Sequence, residues 1–203
     1  MPKISRQLPV MEIFYSIQGE GFHAGKPAIF IRLGGCDVGC HWCDVKESWD
    51  ENDHPKMTIE QIIDGIKDFP SKTIIITGGE PLMYNLDQLT GSLKALGYSL
   101  HIETSGVYQF TGDFDWVCFS PKKFKKPHQS IYAVANEIKA IIFNKSDFKF
   151  ADSFLEQLND DCQHYLQPEW SKADAMTPQI IEFVKNNPNW NISMQTHKYL
   201  NIP

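Results

Sequence analysis

The sequence has no apolar run long enough to span a bilayer, which excludes a helical membrane protein. It has no surplus of positive charge either. The formal net charge is -6, which argues against a general nucleic-acid binder. The opening Met1-Pro2-Lys3-Ile4-Ser5-Arg6 leads into no signal-peptide core. No internal repeat, linker or low-complexity stretch interrupts the chain, so one domain over residues 1–203 is expected. Cysteine is scarce. Five is an odd number, and too few for the disulfide framework of a small secreted scaffold. Reduced thiols fit a cytoplasmic location.

Three of those five cysteines fall within eight residues, as Cys36, Cys40 and Cys43 in a C-x-x-x-C-x-x-C run. They occupy a loop over residues 35–45 that follows the apolar run Ala28-Ile29-Phe30-Ile31-Arg32-Leu33. The spacing is too tight for three regular positions, so the loop should wrap around something. Thiolates are soft ligands and favour zinc or an iron–sulfur cluster. A cubane 4Fe–4S cluster normally takes four thiolates, so three would leave one iron open to a small molecule. The zinc alternative needs a fourth donor, for which His41 is available, and its place between Cys40 and Cys43 makes a strained tetrahedron. Cys118 and Cys162 stand alone in apolar runs and read as core residues. The basic run Lys122-Lys123-Phe124-Lys125-Lys126 reads as a solvated loop, with an anion-handling role the alternative for Lys122.

Elsewhere, strand-like runs alternate with helical ones. Strands are expected at Val10–Tyr15, Ala28–Leu33, Thr73–Ile76, Ser99–Ile102, Asp115–Phe119, Glu137–Phe143, His164–Leu166 and Trp190–Met194. Thr58-Ile59-Glu60-Gln61 is a capping box ahead of a helix that Pro70 stops. Leu86, Leu89, Leu93 and Leu96 mark a second helix face. Phe148–Leu158 reads as a third helix. Thr177-Pro178 reads as the start of a fourth, with Ile180, Ile181 and Val184 buried. Residues Lys46–Lys56 read as an irregular connection. The alternation implies an α/β fold with a mostly parallel sheet. Polar clusters follow most strands, as they do on the active edge of a barrel. Too few helices are visible for eight units, so a partial, open (β/α) barrel is expected.

Taken together, these segments resemble the radical S-adenosylmethionine (SAM) enzymes, and within them the 7-carboxy-7-deazaguanine synthase (QueE) family. The likeness rests on Glu12-Ile13-Phe14, Ser16-Ile17-Gln18-Gly19-Glu20-Gly21, Phe30-Ile31-Arg32-Leu33 and Trp42-Cys43-Asp44. It continues through Thr77-Gly78-Gly79-Glu80-Pro81, Glu103-Thr104-Ser105-Gly106, Ser120-Pro121-Lys122 and Gln195-Thr196-His197-Lys198. The cysteine spacing alone would identify only the superfamily. The resemblance implies a lyase that contracts the ring of 6-carboxy-5,6,7,8-tetrahydropterin to 7-carboxy-7-deazaguanine and releases ammonia, in queuosine and 7-deazapurine biosynthesis. It implies a 4Fe–4S cluster on Cys36, Cys40 and Cys43, SAM as cosubstrate, a flavodoxin-type reductant and a homodimer. A glycyl-radical enzyme activase, with the same cysteine spacing but a protein substrate, is the rival reading.

Residue roles carried over by the resemblance are as follows. Gly78, Gly79, Ser120, Pro121, Lys122, Gln167 and Pro168 are expected to bind SAM. Ile17, Gln18, Gly19 and Thr77 are expected at the pterin. Arg32, a charge inside an apolar strand, is expected to meet the substrate carboxylate, with a structural ion pair as the alternative. The tail, residues 195–203, should close the site, with Pro203 presenting a carboxylate to the pterin. The family binds Mg²⁺ through a Thr or Ser hydroxyl two residues after the last cysteine. Here that position is Val45, which has no oxygen to offer.

Overall fold

The apolar run before the cysteines forms β2 (Pro27–Leu33), deep in a sheet of nine strands. The architecture is that of a computed structural model, which describes residues 2, 3 and 7–203. Met1, Ile4, Ser5 and Arg6, from the opening stretch read as lacking a leader, lie outside the described residues. The other strands are β1 (Gln7–Ile17), β3 (Lys56–Thr58), β4 (Thr73–Gly78), β5 (Ser99–Thr104), β6 (Trp116–Phe119), β7 (Glu137–Ile142), β8 (Gln163–Pro168) and β9 (Trp190–Ile192). Their order is β3-β1-β2-β4-β5-β6-β7-β8-β9. From β2 to β9 every pairing is parallel, and β1 runs antiparallel to both β2 and β3.

The helices are α1 (Ile59–Ile66), α2 (Asp87–Ala95), α3 (Ser146–Asp152), α4 (Ala173–Asn186) and α5 (Thr196–Leu200). None is long and apolar enough to cross a membrane. Strand alternation sorts the two faces of the sheet. On β7, Ile138, Ala140 and Ile142 enter the main hydrophobic core. Glu137, Lys139 and Ile141 point the other way, into two cavities. On β5, Leu100 and Ile102 face the core, and His101 and Glu103 face the cavities. Each fully buried Ile or Leu contributes about 1.5–3 kcal/mol relative to exposure.

Local signals set most element ends. At α1, the Gln61 N–H donates to Thr58 Oγ1 and the Thr58 N–H to Gln61 Oε1, so the capping box is complete. Five expectations are corrected. The fourth helix begins at Ala173, because the Glu169 carboxylate caps the turn feeding it by accepting from the Ser171 N–H at 3.1 Å; Pro178 therefore lies inside the helix. Ile181 is 44 % exposed, since Met176 and Ile180 form the buried stripe and Ile181 sits about a quarter-turn off it. Leu96 lies beyond the last residue of α2 and is half exposed. The last strand stops at Ile192, and Ser193 beyond it donates its N–H to Leu166 O at 2.9 Å and its hydroxyl to Gln167 Oε1 at 2.6 Å. The stretch expected to be one helix over 148–158 divides into α3 and a short 3-10 turn at Leu155–Gln157. The connection 46–56 contains two 3-10 turns before β3.

Candidate active site

Parallel strands end on one edge, and a cavity of about 270 Å³ opens there. Cys36, Cys40 and Cys43 all line it. Backbone bonds hold their loop in place: Gly35 N–H to Ser48 O at 2.6 Å, Cys36 N–H to Trp49 O at 3.0 Å, and Glu80 N–H to Gly35 O at 2.9 Å. The last of these ties the cysteine loop to the end of β4. Gly79 permits it, since a Cβ there would fall 2.2 Å from Gly35 O and 3.0 Å from Cys36 Cβ. Glu80 then fixes β4 to the end of β5. It is 1 % exposed and accepts from Leu82 N–H, Thr104 Oγ1, Ser105 N–H and Ser105 Oγ. Four donors satisfy a buried carboxylate, which is why the charge is tolerated there.

The thiol set fits a cubane. A cubane spreads its thiolates over separate irons, whereas zinc draws four donors to one point. His41, the fourth zinc donor considered from the sequence, packs edge-on against Phe124 and Phe143. Burial pushes the Cys40 thiol up to about 11. A coordinating metal would deprotonate it outright.

Lys139 rises from the cavity floor between two carboxylates, Glu20 and Glu103. Its Nζ lies 3.0 Å from Glu103 Oε2. Burial alone would raise the Glu20 carboxyl, but the Lys139 ammonium and hydrogen bonds hold it at about 2. Desolvation acts against the Lys139 charge, and the two carboxylates overcome it and hold the ammonium well above its ordinary range. Gln18 joins this network through Nε2, 2.8 Å from Glu103 Oε1, while its Oε1 accepts from the Glu20 N–H at 3.2 Å.

The tail seals the opposite wall. Thr196 bonds Gly19 O twice, by its N–H at 2.9 Å and by Oγ1 at 2.8 Å. Gln195 Nε2 donates to Glu20 Oε1 at 2.9 Å and to Asp44 Oδ2 at 3.2 Å. Lys198 Nζ meets Asp44 Oδ2 at 2.8 Å. Asp44 is driven up by burial and down more strongly by Lys198, and ends below the usual carboxylate range.

Almost every residue singled out from the sequence lines this one cavity: Ile17, Gln18, Gly19, Arg32, Val45, Thr77, Gly78, Gly79, Ser120, Lys122, Gln167, Pro168 and Pro203. Pro121 does not; it borders a neighbouring cavity of about 140 Å³ with Trp42 and Phe143. Arg32 is in an ion pair, its Nε 2.6 Å from Glu12 Oε1, yet it still faces the cavity. Gln18 lines the wall with its side-chain amide already bonded within the protein. Lys122 Nζ donates to Ser120 Oγ at 2.5 Å, and desolvation lowers its basicity. Pro203 O accepts from Ser16 Oγ at 3.0 Å.

Sequence reasoning missed Lys139, Glu20 and Glu103 as cavity residues. Lys139 carried the same signal as Arg32, a charge inside an apolar strand, and is more deeply buried. The two outlying cysteines are both buried, Cys162 in the core and Cys118 with its Sγ 3.6 Å from Glu137 Oε1 on the cavity face.

A thiol triad after the first parallel strand of an open α/β sheet, facing a cavity at the strand ends, defines a radical SAM protein. The family model described as Radical SAM superfamily matches residues 30–113. The chain is 54 % identical to the 7-carboxy-7-deazaguanine synthase of Flavobacterium psychrophilum, covering 97 % of this chain and 93 % of that protein. It is 45 % identical to that of Synechocystis sp., over 96 % and 93 %. The crystal structure of QueE from Escherichia coli superposes with a TM-score of 0.84 at 35 % identity, covering 94 % of this chain and 95 % of that one. The chain belongs to the 7-carboxy-7-deazaguanine synthase family. The activase alternative is not favoured.

Proposed function

We propose that this chain converts 6-carboxy-5,6,7,8-tetrahydropterin to 7-carboxy-7-deazaguanine with loss of ammonia, in queuosine and 7-deazapurine biosynthesis. The observation that carries the reading is one cavity lined both by the three thiols and by Arg32. Cys36, Cys40 and Cys43 would hold a 4Fe–4S cluster, and cluster and SAM when bound supply the radical hydrogen-abstraction chemistry.

The protein's own share is positioning and shielding. Gly78 and Gly79 line the cavity at the end of β4 and would present backbone to the amino-acid part of SAM. Ser120 and Lys122 offer a hydroxyl and an ammonium to its nucleoside and carboxylate, with Gln167 and Pro168 on the adenine side and Pro121 behind them. Arg32 takes the pterin carboxylate. Thr77 offers a hydroxyl that has no hydrogen bond among the described residues. Ile17, Gln18, Gly19 and Pro203 border the other pterin edge. The tail excludes water by closing over the Gln18-Gly19 loop.

Magnesium does not fit well here. Val45 has no oxygen, and the neighbouring Asp44 carboxylate already accepts from Lys198 and Gln195. No step is assigned to it. We further propose a flavodoxin-type reductant, a homodimer and action in the cytoplasm.

Anaerobic turnover of synthetic carboxy-tetrahydropterin by the cluster-loaded enzyme tests the reading. Deazaguanine product should appear in excess over SAM consumed. SAM cleavage with no pterin-derived product would overturn it.

A further inference from the structure

Glu12 and Arg32 face each other across the antiparallel β1–β2 pair. That pairing depends on a register shift. Val10 pairs with Leu33 and Glu12 with Arg32, so Met11 is an extra residue on β1. Without the bulge, Met11 would stand opposite Arg32. Bulges of this kind re-aim side chains and are enriched beside active sites.

The contact is specific to one nitrogen. Arg32 Nε lies 2.6 Å from Glu12 Oε1. A guanidinium has five N–H donors, and this bond uses the one on its stem side. The two terminal amino groups meet no acceptor among the described residues. Below the plane, the guanidinium carbon lies 5.6 Å from the Phe14 ring centroid, and Phe14 stacks on Phe30 at 4.9 Å. Arg32, Phe14 and Phe30 all line the cavity, whereas Glu12 does not. As a device for stability the pair is weak, because Glu12 is 43 % exposed and such pairs contribute roughly 0–1 kcal/mol. Its geometry suits another purpose.

We infer that Glu12 is a positioning residue for substrate binding: it grips Arg32 by Nε and turns the terminal amino groups into the cavity to receive a carboxylate. The ion pair and the substrate contact are thus two ends of one fork. This rests on the reading above, in which Arg32 takes the pterin carboxylate. A consequence separates hydrogen bonding from charge. Glu12→Gln keeps an acceptor for Nε and removes a negative charge that competes with the substrate. Glu12→Ala removes both the acceptor and the charge.

The test uses cluster-loaded enzyme and carboxy-tetrahydropterin under anaerobic conditions, with tetrahydropterin lacking the carboxylate as a competitive inhibitor. Glu12→Ala should raise KM about tenfold, the equivalent of about 1.4 kcal/mol, with kcat within about twofold. Glu12→Gln should keep KM at or below that of the unsubstituted enzyme. The inhibition constant of the carboxyl-free analogue should be the same for all three. An unchanged KM in Glu12→Ala, beside a raised KM in Arg32→Ala, overturns the inference alone. So does a parallel rise for the carboxyl-free analogue, which would report general damage to the cavity wall. Failure of the unsubstituted enzyme to turn over carboxy-tetrahydropterin overturns the parent reading as well.

Discussion

Lys139 Nζ stands 3.0 Å from Glu103 Oε2 while also contacting Glu20, so one buried ammonium is shared by two carboxylates on the cavity floor. Removing one partner of a buried ionic group leaves uncompensated charge, at a cost of about 3–5 kcal/mol. Lys139→Met should therefore lower unfolding free energy by about that much. Denaturant titration of the metal-free chain measures it. A change smaller than about 1 kcal/mol would mean that water screens the network.

The same network sets a pH response. Glu20 is held at about 2 against an ordinary value of 4.5. A depressed carboxyl favours the fold above its unfolded value, and that contribution fades as pH falls through the folded one. Stability from this group should be whole above about pH 4.5 and decline between there and pH 2. Denaturation curves at a series of acid pH values should show the decline, and Glu20→Gln should flatten it.

Gly79 lies where the end of β4 meets the cysteine loop. A methyl group there would collide with Gly35 O at 2.2 Å, a backbone atom that cannot rotate away. Gly79→Ala should leave helix and sheet content intact yet displace the loop. The expected readout is a loss of bound iron per chain after reconstitution, with an unchanged far-ultraviolet spectrum. Full iron loading would show that the loop shifts without losing its ligand geometry.

Asp44 couples the cysteine loop to the tail through Lys198 at 2.8 Å and Gln195 at 3.2 Å. Asp44→Ala should free α5, so that limited proteolysis cuts after Lys198 sooner than in the unsubstituted protein. Turnover should fall with it, because the lid no longer excludes water. Equal cleavage rates would show that the remaining bonds, Thr196 to Gly19 and Gln195 to Glu20, hold the tail without Asp44.

Val45 gives a metal prediction. In magnesium-free buffer the enzyme should keep most of its activity, and Val45→Thr should introduce stimulation by added magnesium. Strong stimulation of the unsubstituted enzyme would show that substrate and water ligate the ion without a side-chain hydroxyl.

Patterns local to the chain were legible before any coordinates. The alternation of apolar runs with helical stripes gave the mostly parallel open sheet. The thiol spacing located the cysteine loop that lines the cavity. The capping box at Thr58 and Gln61 formed as read. Where the reading slipped, a longer-range contact won. Thr177-Pro178 looked like a helix start, but the Glu169 carboxylate caps a turn further upstream, and nothing local to residue 177 records that. Ile181 was apolar at a plausible spacing, yet only packing decides which stripe faces the sheet.

The amino-acid order by itself determined which chemistry the chain carries: three thiols in one loop, and glycines where strand ends must approach each other. These depend on spacing within a few residues, and spacing is written in the sequence. Only the tertiary structure decided which charges share the cavity. Lys139 meets Glu20 across 119 positions and Glu103 across 36, and Gln195 meets Glu20 across 175. Such partners are chosen by how the sheet curls and where β1 and β9 leave their openings, which no stretch of the chain specifies alone.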